Sequence, residues 1–173
     1  MTRIERVGIA NVKVSDVAQD AGVHETSIYR RWKTLPRLLV DALLSCTAVA
    51  VPIDDTGCAR GDLESFTTSL IRFVQSPTGA AWTRGTLISD TDPVVNEVLR
   101  DFWEQRLSAA EVIIQRGKAR GEVRSDIDAR LVLQLLGGLI NFHLLHLGGG
   151  IPEDLANRAV SLIFSGVTFA TDG

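Results

Sequence analysis

Val14-Ser15-Asp16-Val17-Ala18-Gln19-Asp20-Ala21-Gly22-Val23-His24-Glu25-Thr26-Ser27-Ile28-Tyr29-Arg30-Arg31-Trp32 carries the reading of this chain. Val14, Val17, Ala18 and Ala21 recur at i, i+3, i+4 and i+7, the spacing of one helical face. Gly22 then stops that helix, as a residue tolerant of positive φ does. A second short helix is expected from about Glu25 to Arg31. Ala18 is small enough to let the two helices cross closely, and Val17, Val23 and Ile28 are expected in their shared core. That leaves Thr26, Ser27, Tyr29, Arg30 and Arg31 projecting outward from the second helix. A helix of this kind fits a major groove, with its first residues at base edges and its hydroxyls and cations on phosphates. A structural helical hairpin with a polar outer face has the same pattern, and spacing alone does not separate the two.

Helical periodicity continues outward from this motif. Thr34 is placed to cap a third helix, with Pro36 tolerated in its first turn, running through Leu38, Leu39, Ala42 and Leu43 to about Val49. The loop-like run from Val51 to Gly61 predicts a boundary between a small module of residues 1–50, the candidate DNA-binding domain, and a larger helical module of residues 51–173. Further helices are expected at about 62–75, 79–89, 93–119, 128–147 and 152–170. No segment reads as a strand, and the fold class is all-α.

The whole chain has 173 residues and a net charge of −3, which alone argues against nucleic acid. Its distribution is more informative. Residues 1–50 hold seven Lys and Arg against five acids, net +2, leaving −5 for the rest. A basic head on an acidic body suits a DNA reader. Cys46 and Cys58 have neither disulfide-framework nor metal spacing, so a reducing, cytoplasmic location is expected. The N-terminus lacks a signal-peptide core. The apolar stretch Leu131–Leu147 is broken by Gln134, Gly137, Gly138, Asn141 and His143, and is expected to be too short and polar for a membrane span. The chain holds no phosphate loop, nucleophile elbow, metal cluster or carboxylate pair, so neither enzyme chemistry nor a cofactor is expected.

Asp16-Val17-Ala18, Ala21-Gly22-Val23 and Ile28-Tyr29-Arg30-Arg31-Trp32 resemble, in order and spacing, the N-terminal module of TetR-type transcriptional regulators. Arg120-Gly-Glu-Val-Arg-Ser-Asp-Ile-Asp128, leading into a long apolar helix, is similar to one C-terminal type of that family. The resemblance implies that Ser15 meets DNA, that Glu25, Thr26 and Tyr29 approach bases, and that Ser27, Arg31 and Lys33 bind phosphate. For Glu25 a second reading stands beside this one, a helix-start acid favoured by the helix dipole. The sequence departs from the family at Lys13 and His24, where better capping residues are common, and at Leu35, where a phosphate-binding Lys often sits. A full helix usually precedes the motif, whereas only Met1 to Gly8 stand ahead of it here. The expected function is a ligand-responsive homodimeric repressor of a pseudo-palindromic operator. The alternative is a dimeric small-molecule-binding or interaction protein with a weakened DNA head.

The segment 128–147 is apolar almost all round and is expected to be buried on every side. Pairing it and segment 152–170 with their copies across a two-fold axis would make a four-helix bundle, with Gly137, Gly138 and Gly166 allowing close approach. Phe66, Leu70, Phe73, Trp82, Phe102, Trp103 and Asn141 are candidates to line a small-molecule effector pocket; plain core packing accounts for the aromatics equally. His143 and His146 sit at i, i+3 without a visible third ligand, and no metal site is expected.

Overall fold

A computed structural model describes residues 2–88, 93–147 and 150–167. Among them every regular element is helical: α1 (Thr2–Val7), α2 (Val14–Ala21), α3 (Glu25–Trp32), α4 (Leu35–Ala50), α5 (Ala59–Gln75), α6 (Pro77–Ile88), α7 (Pro93–Ala110), α8 (Val112–Ala119), α9 (Ala129–Phe142) and α10 (Leu155–Val167). A 3-10 turn spans Ile9–Asn11, and a π turn, His143–Leu147, extends α9.

Local chemistry accounts for most helix ends. Gly22 takes φ 66° and ψ 31°, and its N–H reaches back to the Ala18 and Gln19 carbonyls. Thr34 Oγ1 accepts from the Arg37 N–H at 3.4 Å, the cap expected for α4. Asp128 caps α9 by accepting from the Leu131 N–H at 3.1 Å. Ser76 Oγ accepts from the Gly79 N–H at 3.1 Å, so α6 begins at Pro77 rather than at 79; proline is tolerated at a first helical position, where no N–H is needed. Likewise α5 begins at Ala59, ahead of the expected 62.

Two further expectations are corrected. The segment 93–119 is divided at Glu111 into α7 and α8. Glu111 keeps helical angles, and its carbonyl still accepts from Gln115 at 3.1 Å. Its carboxylate accepts from Arg130 Nε at 2.8 Å, a partner 19 residues away that local periodicity does not reveal. The second correction concerns 128–147. In the chain Val132, Leu133, Leu136 and Ile140 of α9 are buried, but Leu131, Leu135 and Phe142 are 51, 56 and 53% exposed. The helix is therefore buried on one side only. The helical stretch Ala129–Leu147, 19 residues long, reaches the length and apolar composition of a membrane span, as the core helix of a globular protein also does. Its buried side packs on α10.

The chain divides into two compact units, Met1–Ala50 with Phe73–Gln105, and Val51–Arg72 with Arg106–Gly173. This differs from a single cut at 50/51, because the first unit's core needs residues from beyond the cut. Ile4, Ile9, Val12, Leu39, Val40 and Leu43 close a cluster with Val98 and Phe102. A smaller cluster of Val14, Ala18, Ile28 and Leu38 joins α2, α3 and α4.

The second unit buries Leu63, Ile113, Ile114, Val123, Leu136 and Val160 almost completely. A polar strap ties its leading loop down. The fully buried Asp62 carboxylate accepts from the Thr56 N–H (2.6 Å), the Thr56 hydroxyl (2.7 Å) and Arg116 (3.0 Å), with Arg120 at 3.6 Å. Burial pushes this carboxyl's pKa up, but the Thr56 donors and Arg116 outweigh it and hold it below the ordinary carboxylate value. Arg120 also pairs with Asp55, and Glu122 accepts from the Ala59 N–H at the start of α5. Gly117 permits the close approach here, since a Cβ would stand 2.7 Å from that of Ala59.

Candidate nucleic-acid interface

The interface begins with how α2 and α3 are held. Ala18 and Ile28 are buried between them, as expected from spacing, and Val17 packs against the same cluster. Val23 does not join it. Its N–H bonds to the Ala18 carbonyl at 3.0 Å, which keeps residue 23 in the turn, and its side chain is 46% exposed. Neither Lys13 nor His24 makes a side-chain cap bond, so both helix starts leave their first N–H groups without a side-chain acceptor.

The short α1 braces this pair. Arg3 donates to both Asp20 oxygens, at 2.9 and 2.7 Å, and approaches the Asp16 carbonyl at 3.4 Å. Arg6 stands 3.6 Å from Asp20. Ile4 and Ile9 are buried against α4 residues, and Thr78 donates to Glu5. Two acids of the head, Asp20 and Glu5, thus have partners within the first unit.

Ser15, Glu25, Thr26, Ser27, Tyr29, Arg31 and Lys33 are all exposed. The six from Glu25 to Lys33 stand on α3 and its C-cap, with Ser15 on α2. The Tyr29 ring is 48% exposed. Arg30 and Arg37, which the motif comparison did not single out, are exposed cations beside them. Their charge and position between residues 30 and 37 were the available signal.

Lys33 has a further peculiarity. It is the only non-glycine residue with positive φ among those described, at φ 66° and ψ −43°. The Thr34 N–H bonds to the Trp32 carbonyl at 2.8 Å, two residues back, so Lys33 is the apex of a classical γ-turn. This conformation is strained for a residue with a Cβ. It turns the chain sharply between α3 and α4 and leaves the Lys33 ammonium exposed at the corner.

Behind α3 the Trp32 indole N–H donates to Asp41 Oδ2 of α4 at 2.9 Å. The Arg31 guanidinium lies over the Trp32 ring, 4.6 Å from its centroid. Spacing gives no signal for the Trp32–Asp41 bond, because the partners lie on different helices.

The candidate pocket residues are dispersed. Phe102 is buried in the first unit's core, edge-to-face with the half-exposed Trp103, ring centroids 5.1 Å apart. Phe73 is also buried. In the second unit Phe66 lies under the Arg106 guanidinium at 5.7 Å, Leu70 is half-buried and Asn141 is exposed. The Trp82 side chain lies outside the described residues. Among the described residues no three His, Cys, Asp or Glu are grouped to hold a metal, and the His146 ring sits 5.3 Å from that of Phe142.

Comparison with known proteins places this geometry in context. The family described as "Tetracyclin repressor-like, C-terminal domain" matches residues 53–163. The HTH-type transcriptional regulator AqdR of Rhodococcus erythropolis is 54% identical over 163 residues, 94% of this chain and 79% of that protein. Among solved structures, the TetR family transcription regulator SCO0332 superposes with a TM-score of 0.78 at 21% identity, covering 96% of this chain and 92% of its own. The regulator FadR from Bacillus subtilis, solved in complex with stearoyl-CoA, gives 0.65 at 20% identity, covering 95 and 93%.

Proposed function

The chain belongs to the TetR family of transcriptional regulators and binds DNA in that capacity, and from that premise we propose that it is a homodimeric, effector-responsive repressor. The observation that carries the DNA-contact assignment is the exposed set on and beside α3. Thr26 and Tyr29 offer hydroxyls to base edges, and Glu25 accepts from a cytosine amino group. Ser15, Ser27, Arg31 and Lys33 hold phosphates. The protein acts in the cytoplasm, where its DNA is.

Dimerisation is supported by the exposed face of α9 and of the π turn that extends it. Leu131, Leu135, Gly138, Phe142 and Leu145 follow one another at steps of four, three, four and three, a 3.5-residue repeat. All five are exposed. Leu162 of α10 is 78% exposed. A Cβ at Gly137, Gly138 or Gly166 would meet nothing within 4 Å in the chain, leaving room for a second copy. A four-helix seam of α9 and α10 with their copies covers these side chains. A homodimer carries two α3 helices, one per protomer, which suits a pseudo-palindromic operator.

Effector response is supported by the family and by the acyl-CoA complex of the FadR relative. In the second unit Phe66, Leu70 and Asn141 are the candidates for an effector site; Phe73, Trp82, Phe102 and Trp103 belong to the first unit, where Phe102 already serves packing. Against the alternative of a weakened DNA head, α1 engages α2 through Arg3 and Asp20, while Leu35 offers no cation to a phosphate. The test is titration of the DNA upstream of the gene at several salt concentrations. Arg31 and Lys33 from two heads give about four phosphate neutralisations and a log–log slope near −4. Absence of salt-dependent, sequence-preferring binding refutes the reading.

A further inference from the structure

An exposed carboxylate close to phosphate-binding cations weakens DNA binding unless it does something else. Asp41 is such a group. It is exposed on α4 and lines one open groove with Arg31, Trp32 and Arg37. Its Oδ2 accepts from the Trp32 indole N–H at 2.9 Å. That bond fixes the plane of the indole at the last turn of α3, where one side of the half-buried ring also packs against the cluster of Val14, Ala18, Ile28 and Leu38. The face so fixed carries the Arg31 guanidinium, 4.6 Å from the ring centroid. Stacking leaves all the guanidinium N–H donors at the edge of the plane, free for an anion. Among the described residues no carboxylate pairs with Arg31. The order is therefore Asp41 to Trp32 by hydrogen bond, and Trp32 to Arg31 by its ring.

We propose that Asp41 is a positioning residue for DNA binding, which holds Trp32 as the platform that aims Arg31 at a backbone phosphate. The proposal rests on the phosphate role of Arg31 given above. Asp41 itself touches no DNA; its carboxylate is tolerated near the phosphates because its oxygen is committed to the indole. What matters is the acceptor, not the charge. This sets its expected behaviour apart from simple electrostatics, under which deleting an acid beside DNA tightens binding.

The experiment measures affinity and salt dependence for the DNA upstream of the gene, with a random-sequence duplex of equal length as reference. Wild type is compared with Asp41→Ala, Asp41→Asn, Trp32→Phe, Arg31→Ala and the double variant Trp32→Phe/Asp41→Ala. Thermal unfolding and sedimentation confirm that each variant is folded and of native oligomeric state. Asp41→Ala is expected to weaken binding about 5-fold per head, the scale of one net hydrogen bond. It also flattens the salt slope in the direction of Arg31→Ala. Asp41→Asn keeps an acceptor for the indole and binds as wild type or more tightly. In the Trp32→Phe background, which lacks the N–H, adding Asp41→Ala changes nothing further. Wild-type or tighter binding by Asp41→Ala overturns the proposal, as does Asp41→Asn falling as far as Asp41→Ala. A full Asp41→Ala effect surviving in the Trp32→Phe background overturns it too. If Arg31→Ala leaves affinity and slope unchanged, the phosphate assignment of Arg31 fails and the proposal with it; loss with Arg31→Ala but not with Asp41→Ala removes the proposal alone.

Discussion

Leu135 lies in the middle of the exposed α9 stripe and is 56% exposed in the single chain. Replacing it tests the dimer seam directly. Complete burial of a leucine is worth about 2 kcal/mol, so covering the remaining half contributes about 1 kcal/mol. A two-fold axis counts the residue twice, giving about 2 kcal/mol per dimer. Leu135→Ala is therefore expected to raise the dimer dissociation constant about 30-fold. Leu135→Asp goes further, because it buries two unpaired carboxylates, each costing several kcal/mol, and is expected to be monomeric at micromolar concentration. In the monomer the substituted side chain faces water, so the fold is retained. Sedimentation velocity over a dilution series measures the constant, and circular dichroism checks helicity. Operator affinity is expected to fall in parallel, since a monomer brings one head. A Leu135→Asp protein that dimerises with the wild-type constant refutes the seam and the dimer geometry built on it.

Other expectations are as specific. Lys33→Gly relieves the strained γ-turn and is expected to raise head stability by about 1 kcal/mol while weakening DNA binding, seen as a higher Tm with a lower affinity. A fall in both indicates that Lys33 packs rather than binds. Asp62→Asn keeps one oxygen for the Thr56 donors but sets an amide NH2 where Arg116 donates and removes the buried charge that faces Arg116 and Arg120, and is expected to cost about 3 kcal/mol in denaturant unfolding. Because the folded Asp62 pKa lies below its unfolded value of about 3.9, its contribution is complete above that pH and is lost as pH falls through the lower folded value. The gap between wild type and Asp62→Asn should accordingly close only below about pH 4; a gap that stays constant on acidification speaks against the carboxylate as its source. Tyr29→Ala is expected to weaken operator binding with unchanged thermal unfolding, since the ring is half exposed; equal affinity removes Tyr29 from the contact set.

Residues within a few positions of one another made much of this molecule legible in its sequence. The turn at Gly22, the crossing at Ala18 and Ile28, and the cap at Thr34 each depend on partners within about ten residues. Helical spacing and the side chain's own donors and acceptors specify them, and the family follows from the same short motif. The outward face of α3 was legible too, because whatever does not pack at Ile28 must project.

Features joining distant residues were not legible. Val98 and Phe102 complete the first unit's core from half the chain away. Arg130 reaches Glu111, and Arg116 reaches Asp62. Spacing constrains none of these pairings; they exist only once helices are packed. The same holds for α9. Its composition says that it is apolar all round, but not which side its own chain covers. Packing within its own chain buries Val132, Leu133, Leu136 and Ile140 and leaves a regular exposed stripe. Hydrophobicity is a property of residues, whereas burial is a property of neighbours, and only the folded chain assigns the neighbours.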